Sequence, residues 1–595
     1  MSDLWSLAQR NRDTLRFAAF VPASSVSRHL AEAEGLAEAA SLLRAAGVTK
    51  VYLDVYRAHI PDERVLTRAR DFFRGRGFEV SGGLTTVAGN GYGKPSSHGV
   101  HWFCWTNRGT QQLVEHVSRL AARLFDEIIV DDFLCTQCRC EECERERGLR
   151  DFPRFYREQM VDLARRALLQ PAKEENPNAR LIIKYPQWYD RFHAFGYDVL
   201  RQPRQFDATW AGTETRDVAT EFVHQYQAYV NYRWLESLAG ERLAGAWFDQ
   251  IACYPAVYVE QAYQSVLAGA REVVLFDYQP QQFAPDNPNL AHLKAHLPRL
   301  FRLARALKRL KPVGIAAYKP PDSDGDDEAY LFDYLGMFGL PLAPCSAFPE
   351  QARSIVLSAH AAADRELPAK LEQFLARGGT ALLTGGLLGR LADRPALLNL
   401  AGYADHPVTS VDAWTCRFVV GEERVQSCGF VRFGARLNPT SADILASAVT
   451  EEETFPILTE KPTPAGGSVL VLSARTLRYA PESTRVTVGE PVPLIHLPDA
   501  IVALLRSRLL AHLGLQVEAP SRVGVYAYGR DLIALCNFND KPVDAAVTLD
   551  LRRFEALPAA VRDLLGRERV ATDRGRHFAI RLEPRATYAF RLGGR

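Results

Sequence analysis

Two groups of side chains in this 595-residue chain have the types and spacing that chemistry needs. The first is acidic. Apolar runs end in Asp54, in Asp131-Asp132, in Asp249 and in Asp277, and a further run leads into Thr213-Glu214-Thr215-Arg216. Ionised carboxylates in a desolvated mouth are costly unless paired or used, and Arg57, Lys184 and Arg216 at neighbouring strand ends are the candidate partners. The second group is made of thiols: Cys104, then Cys135, Cys138, Cys140 and Cys143. A Cys-x-Cys-x2-Cys loop can supply three soft ligands and a distant residue the fourth, which is the requirement of a structural zinc. Cys138, Cys140 and Cys143 supply three and Cys104 is placed to complete the set, while Cys135 is a spare that could replace any one of them. A redox pair or incidental buried thiols are the alternatives.

What must position these residues is a parallel sheet. Short β-rich apolar runs at 17–21, 51–55, 78–84, 127–132, 181–185, 206–210, 245–249 and 272–278 alternate with amphipathic helical stretches such as 32–46, 111–124, 155–169 and 257–268. Eight strands in strict alternation predict a (β/α)8 barrel, whose reacting groups come from the C-terminal ends of different strands. The fourth and seventh strands then stand on opposing walls. Glycoside hydrolysis needs two carboxyl groups flanking the scissile bond, which makes Asp132 the expected acid/base and Asp249 the expected nucleophile or base, with Glu214 a competitor for either role. Aromatic residues recur at the same rim (Tyr56, Trp102, Trp105, Tyr185, Trp188, Tyr189, Trp210, Trp247, Tyr278). Flat apolar faces beside hydrogen-bonding acids suit a carbohydrate. The expected substrate contacts are Asp54, Arg57, Trp105, Asp131, Lys184, Tyr185, Trp188, Arg216, Trp247 and Asp277.

Beyond residue 312 the pattern changes. Strand-like 354–358 and 380–384 flank a helical 367–376, as in a small doubly wound α/β domain running to about 515, and the alternating runs 523–528, 532–538, 543–549 and 587–592 predict a C-terminal β-sandwich over 516–595. The net charge of +2 comes from 72 basic and 70 acidic residues without a basic block, so no electrostatic case exists for nucleic acid or a membrane surface. A polar N-terminus and the lack of a long apolar run predict a cytoplasmic protein.

The layout resembles the glycoside hydrolase family 42 β-galactosidases over nearly the whole chain. Those enzymes carry a zinc site whose last three cysteines follow the fourth-strand acid in the spacing of Cys138, Cys140 and Cys143, with an isolated upstream ligand matched by Cys104. The resemblance implies a catalytic barrel (1–312), a glutamine-amidotransferase-like trimerisation domain (313–515), a small β-domain (516–595), structural Zn2+ and a homotrimer. No cysteine occupies a nucleophile elbow in 354–386, so amidotransferase chemistry is not implied. Where the family has an Asn-Glu pair after strand four and a glutamate after strand seven, this chain has Asp131-Asp132 and Asp249. Two other functions compete: a catalytically inactive carbohydrate-binding or assembly protein, and a barrel enzyme of another class holding a metal on Asp54, Asp131 and Asp132.

Overall fold

A computed structural model describes residues 4–98, 101–216, 224–473, 475–476, 494–566 and 569–592. The chain divides into two compact units, the first carrying a barrel and the second most of the chain from Arg309 onward. The barrel strands are β1 (Arg16–Val21), β2 (Lys50–Arg57), β3 (Glu79–Thr85), β4 (Glu127–Val130), β5 (Arg180–Tyr185), β6 (Ala208–Gly212), β7 (Leu243–Asp249) and β8 (Glu272–Phe276). All neighbouring pairs are parallel, and β8 pairs back onto β1 to close the cylinder. The (β/α)8 barrel is therefore present, and each strand predicted from the sequence overlaps an observed one.

Residues such as Ala18, Phe20, Tyr52, Ile129, Ile182, Trp210 and Trp247 form a core of nonpolar side chains within the barrel. Two glycines make that filling possible. A Cβ on Gly245 would lie 1.8 Å from Trp210 Nε1, and one on Gly83 would lie 2.6 Å from the Phe20 ring. The strand ends above this packed floor position the polar groups.

In the second unit a nine-stranded sheet begins as a parallel sheet in the order Leu342–Cys345, Ile315–Tyr318, Ser354–Leu357, Thr380–Thr384 and Ser468–Leu472. It continues antiparallel through Thr454–Pro462, Asp443–Val449, Val408–Val420 and Glu423–Leu437. The antiparallel half was not legible from sequence. Besides a two-stranded antiparallel pair, Ala560–Arg562 with Arg569–Ala571, the end of the chain forms two larger antiparallel sheets, one of Leu515–Glu518, Val543–Leu549 and His577–Leu582, the other of Thr587–Arg591, Leu532–Asn537, Val523–Tyr528 and Pro312–Val313. Phe578 and Phe590 meet between them at 5.1 Å. Pro312–Val313, at the junction with the barrel, thus joins the last sheet, pairing with Ala527 and Tyr528.

Candidate active site and thiol cluster

A cleft of about 370 Å³ opens at the C-terminal ends of the barrel strands. Its polar lining is Arg57, Asp131, Asp132, Lys184, Gln187, Glu214, Arg216 and Asp249, and its apolar lining is Trp102, Phe133, Trp188, Trp247, Ile251 and Phe276. The structure therefore brings Asp132, Glu214 and Asp249 to one cavity.

Lys184, at the end of β5, links the acids of this lining. Its ammonium donates to Asp132 Oδ2 at 2.5 Å and to Glu214 Oε1 at 3.1 Å, and lies 3.8 Å from Asp131 Oδ1. The same ammonium sits 4.9 Å from the centre of the Trp247 ring. Strand β4 stops at Val130, which leaves both Asp131 and Asp132 on the turn beyond it. Asp131 Oδ1 accepts the Asp132 N–H at 2.8 Å, and its Oδ2 accepts from the Arg57 guanidinium. Asp249 is held differently. Arg216 grips both its oxygens, Nε to Oδ1 at 3.0 Å and a terminal nitrogen to Oδ2 at 2.6 Å, and the Ile251 N–H donates to Oδ1 at 3.0 Å.

Glu214 is 3 % exposed, and its Oε2 has no hydrogen-bond partner among the described residues. Room for this carboxyl comes from Gly212, where a Cβ would stand 2.5 Å from Oε2. Burial dominates its ionisation: desolvation pushes Glu214 up to about 7 against the opposing pull of Lys184, with repulsion from Asp249 and Asp132 adding to the rise. Desolvation likewise raises Asp132 to about 6, opposed by Lys184 and reinforced by Asp131. Both carboxyls are poised to exchange a proton near neutral pH.

Four expected substrate contacts do not line the cleft. Trp105 is fully buried, donating to the Cys135 carbonyl at 2.9 Å. Tyr185 packs among Phe192 and Tyr197. Asp277 accepts from Gln279 and Gln282 at 2.8 and 2.9 Å. Asp54 lies behind Arg57 and Thr85, at 3.3 and 3.2 Å, and desolvation pushes it up to about 7. In each case a neighbouring donor or aromatic wall, invisible in strand-end spacing, fixes the orientation. Conversely, Phe133, Phe276, Ile251 and Gln187 line the cleft without having been anticipated; their only sequence signal is adjacency to acids or to Trp188. The metal site considered on Asp54, Asp131 and Asp132 is already filled by cations, with Arg57 against the first two and Lys184 against the third.

The thiols of Cys104, Cys138, Cys140 and Cys143 converge so that all four sulfurs lie within 4.8 Å of one another. Three of the separations are 3.8 Å (Cys104 to Cys140), 3.8 Å (Cys104 to Cys143) and 3.7 Å (Cys140 to Cys143). Tetrahedral thiolates at a Zn–S distance of about 2.3 Å stand about 3.8 Å apart, so the donor set fits the ion. Cys135 is not in the cluster; its thiol approaches the Asp132 carbonyl at 3.9 Å. The cluster ties the loop after β3, which carries Trp102, to the loop after β4, which follows Asp132. Thr136 reinforces that join by donating to the Phe103 carbonyl at 3.0 Å.

Residues 4–298 match a family described as "Probable glycosyl hydrolase, catalytic domain", and residues 310–474 match the second domain of the uncharacterized protein SSO3021. That protein, from Saccharolobus solfataricus, is 25 % identical over 328 residues, 50 % of this chain and 54 % of its own length. The chain thus spans about half the length of that curated relative. Among solved structures, α-L-fucosidase isoenzyme 2 from Paenibacillus thiaminolyticus superposes with a TM-score of 0.67 at 12 % identity, covering 98 % of this chain and all of that one (100 %). An exo-β-1,4-mannosidase from Opitutaceae bacterium strain TAV5 follows at a TM-score of 0.50 and 13 % identity, over 77 % and 91 %. At such identities the structural likeness establishes the fold. The family match over residues 4–298 supports a glycoside hydrolase.

Proposed function

We propose that the barrel hydrolyses a glycosidic bond with retention of configuration, Glu214 serving as general acid and base and Asp132 as nucleophile. The observation that carries this reading is the Lys184 bridge. Its two contacts hold the Asp132 and Glu214 oxygens no further apart than their summed lengths, close to the separation of about 5–5.5 Å in retaining enzymes and short of the about 6.5–9.5 Å of inverting ones. Glu214 is the deeper group and has an oxygen without a partner among the described residues, which suits a carboxyl that carries a proton to the leaving oxygen. Asp132 has the more exposed side chain, 15 % against 3 %, which suits attack from the cleft. This revises the pair expected from strand position: Asp249, engaged on both oxygens by Arg216, is better suited to orienting a sugar hydroxyl than to attacking C1.

The test is a panel of aryl α- and β-glycosides with product stereochemistry followed by NMR. The wild type should retain configuration, and Asp132→Asn and Glu214→Gln should each abolish turnover of natural-type leaving groups. Azide should restore activity to Glu214→Ala on an activated aryl glycoside, forming a glycosyl azide of retained configuration. Inversion, or inactivity confined to Asp249→Asn, would move the assignment back to the pair across the barrel.

The same reading extends to the cysteine cluster as a structural zinc site of the family 42 kind, supported by the sulfur separations. Metal analysis of purified protein should find one zinc per chain, lost in Cys138→Ser. The family 42 resemblance also suggests a homotrimer acting in the cytoplasm. Trp414, Phe430 and Ile444 are exposed on the antiparallel strands of the second unit, and no helix among the described residues is long and apolar enough to cross a membrane. Light scattering would report the oligomer.

A further inference from the structure

Lys184 does more in this cleft than a substrate contact would. Its side chain is 1 % exposed, it touches two carboxylates on different strands, and the Trp247 face covers one side of the ammonium. The charged groups around it are Asp131 and Asp132 after β4, Glu214 and Arg216 after β6, Asp249 at the end of β7, and Arg57 on β2, which is turned towards Asp131 and Asp54.

Resting on the assignment of Asp132 and Glu214 given above, we infer that Lys184 is a shared counterion for the catalytic pair, a positioning residue that balances the charge as it passes from Asp132 to Glu214. The argument is one of charge conservation. Before reaction Asp132 is ionised and Glu214 carries a proton. In the first step the bond from C1 to the leaving oxygen breaks, a bond from C1 to an Asp132 carboxylate oxygen forms, and the Glu214 proton goes to the leaving oxygen. Asp132 is then a neutral ester and Glu214 is the anion. In the second step water gives a proton to Glu214 and its oxygen to C1, the ester bond breaks, and the electron pair returns to Asp132. The pair therefore carries one negative charge throughout, and only its location changes. A cation fixed on either carboxylate alone would favour one state and penalise the other. An ammonium within hydrogen-bond reach of both serves each in turn, and a compact three-donor head can do so without leaving its place.

Removal of this cation should leave two buried carboxyls competing for one proton, so that both hold protons to higher pH. The experiment is the pH dependence of kcat/KM for Lys184→Met, Lys184→Gln and Lys184→Arg on an aryl glycoside that the wild type hydrolyses, with thermal melts to confirm folding. The Met and Gln variants should lose about 100-fold or more in kcat/KM near neutral pH, and both limbs of the profile should move up by about one pH unit or more. Arg should return the limbs towards their wild-type positions. A folded Met or Gln variant whose limbs stay where the wild type has them would overturn the inference, whatever its rate, since a merely structural role lowers the rate without moving the limbs. Asp132→Asn on the same substrate and Glu214→Gln on a glycoside with an unactivated leaving group keep the two questions separate: if either remains active, the catalytic assignment fails, and if both are dead while the Lys184 limbs are fixed, only the counterion role fails. If the wild type cleaves no glycoside of the panel, both fall together.

Discussion

The barrel contains two lysine-centred carboxylate networks, one at each end, and they behave in opposite ways. At the N-terminal floor Lys50 contacts Glu127 at 2.6 Å and Glu272 at 3.1 Å, Tyr52 donates to Glu272, and Arg16 and Arg180 complete pairs with Glu79 and Glu127. Cations and acids there are matched in number. At the mouth Arg57, Lys184 and Arg216 face Asp54, Asp131, Asp132, Glu214 and Asp249, so acids are in surplus. The consequence is visible in the ionisation of the groups. Although burial opposes it, Lys50 draws Glu127 below its ordinary value, whereas at the mouth desolvation wins and Asp54, Asp132 and Glu214 all rise. A balanced network stabilises; a surplus of buried acid stores protons, which is what a site of acid–base chemistry requires.

The sharpest way to break this contrast is to neutralise one member at each end. Asp132→Asn or Glu214→Gln should lower kcat by about 10³-fold or more with little loss of stability, measured on aryl glycosides. Lys50→Met should do the reverse, costing about 3–5 kcal/mol in chemical denaturation by stranding Glu127 and Glu272, while the enzyme that remains folded keeps its kcat. A large rate loss from Lys50→Met would remove the distinction between the ends.

Stability against pH sharpens it further. The folded Glu214 binds its proton more tightly than in the unfolded chain, so its contribution is complete below about 4.5 and is lost as pH rises through about 7. Glu214→Gln should therefore melt higher than wild type at pH 8, by an amount on the order of 3 kcal/mol, and show no such gain at pH 4. Glu127, lowered in the fold, contributes above its unfolded value and loses that contribution as pH falls through its folded one; Glu127→Gln should hurt at pH 7 and become harmless in acid. The smallest effect should come from the aromatic wall. Trp102→Ala, which removes a cleft face held beside the thiol cluster, should raise KM by about tenfold and leave kcat within a factor of a few.

How much of this could be read from the chain follows from where the information lies. The barrel strands announce themselves because both faces are covered, which makes β5 (Arg180–Tyr185) or β8 (Glu272–Phe276) nearly continuous apolar runs. The Cys138, Cys140, Cys143 spacing reports on one loop and is likewise local. Val408–Val420 and Glu423–Leu437 escaped notice since most of their positions are exposed or half-buried and polar residues interrupt every apolar run. Strand position placed Asp132, Glu214 and Asp249 at the mouth, but how each is held depends on which cation it meets. Arg216 lies two residues beyond Glu214 in sequence, yet it pairs with Asp249, from another strand. Trp105 and Tyr185 stand off the cleft lining for a similar reason: an aromatic at a strand end faces either the cavity or the layer behind it, and the partner that decides, the Cys135 carbonyl or the Phe192 ring, is brought by another segment.

The pairing of Pro312–Val313 with Val523–Tyr528 bears on how the molecule can be dissected. Assembly order and chain order are out of phase here, because the ribosome releases one member of the last sheet long before its neighbours exist. Expression of 516–595 alone would leave the edge at Ala527 and Tyr528 without its cover, and a chain stopped at 515 would leave Pro312–Val313 without its partner strand. The tail behaves as a clasp fastened from both ends, so excising it should yield two aggregation-prone pieces in place of one independent module.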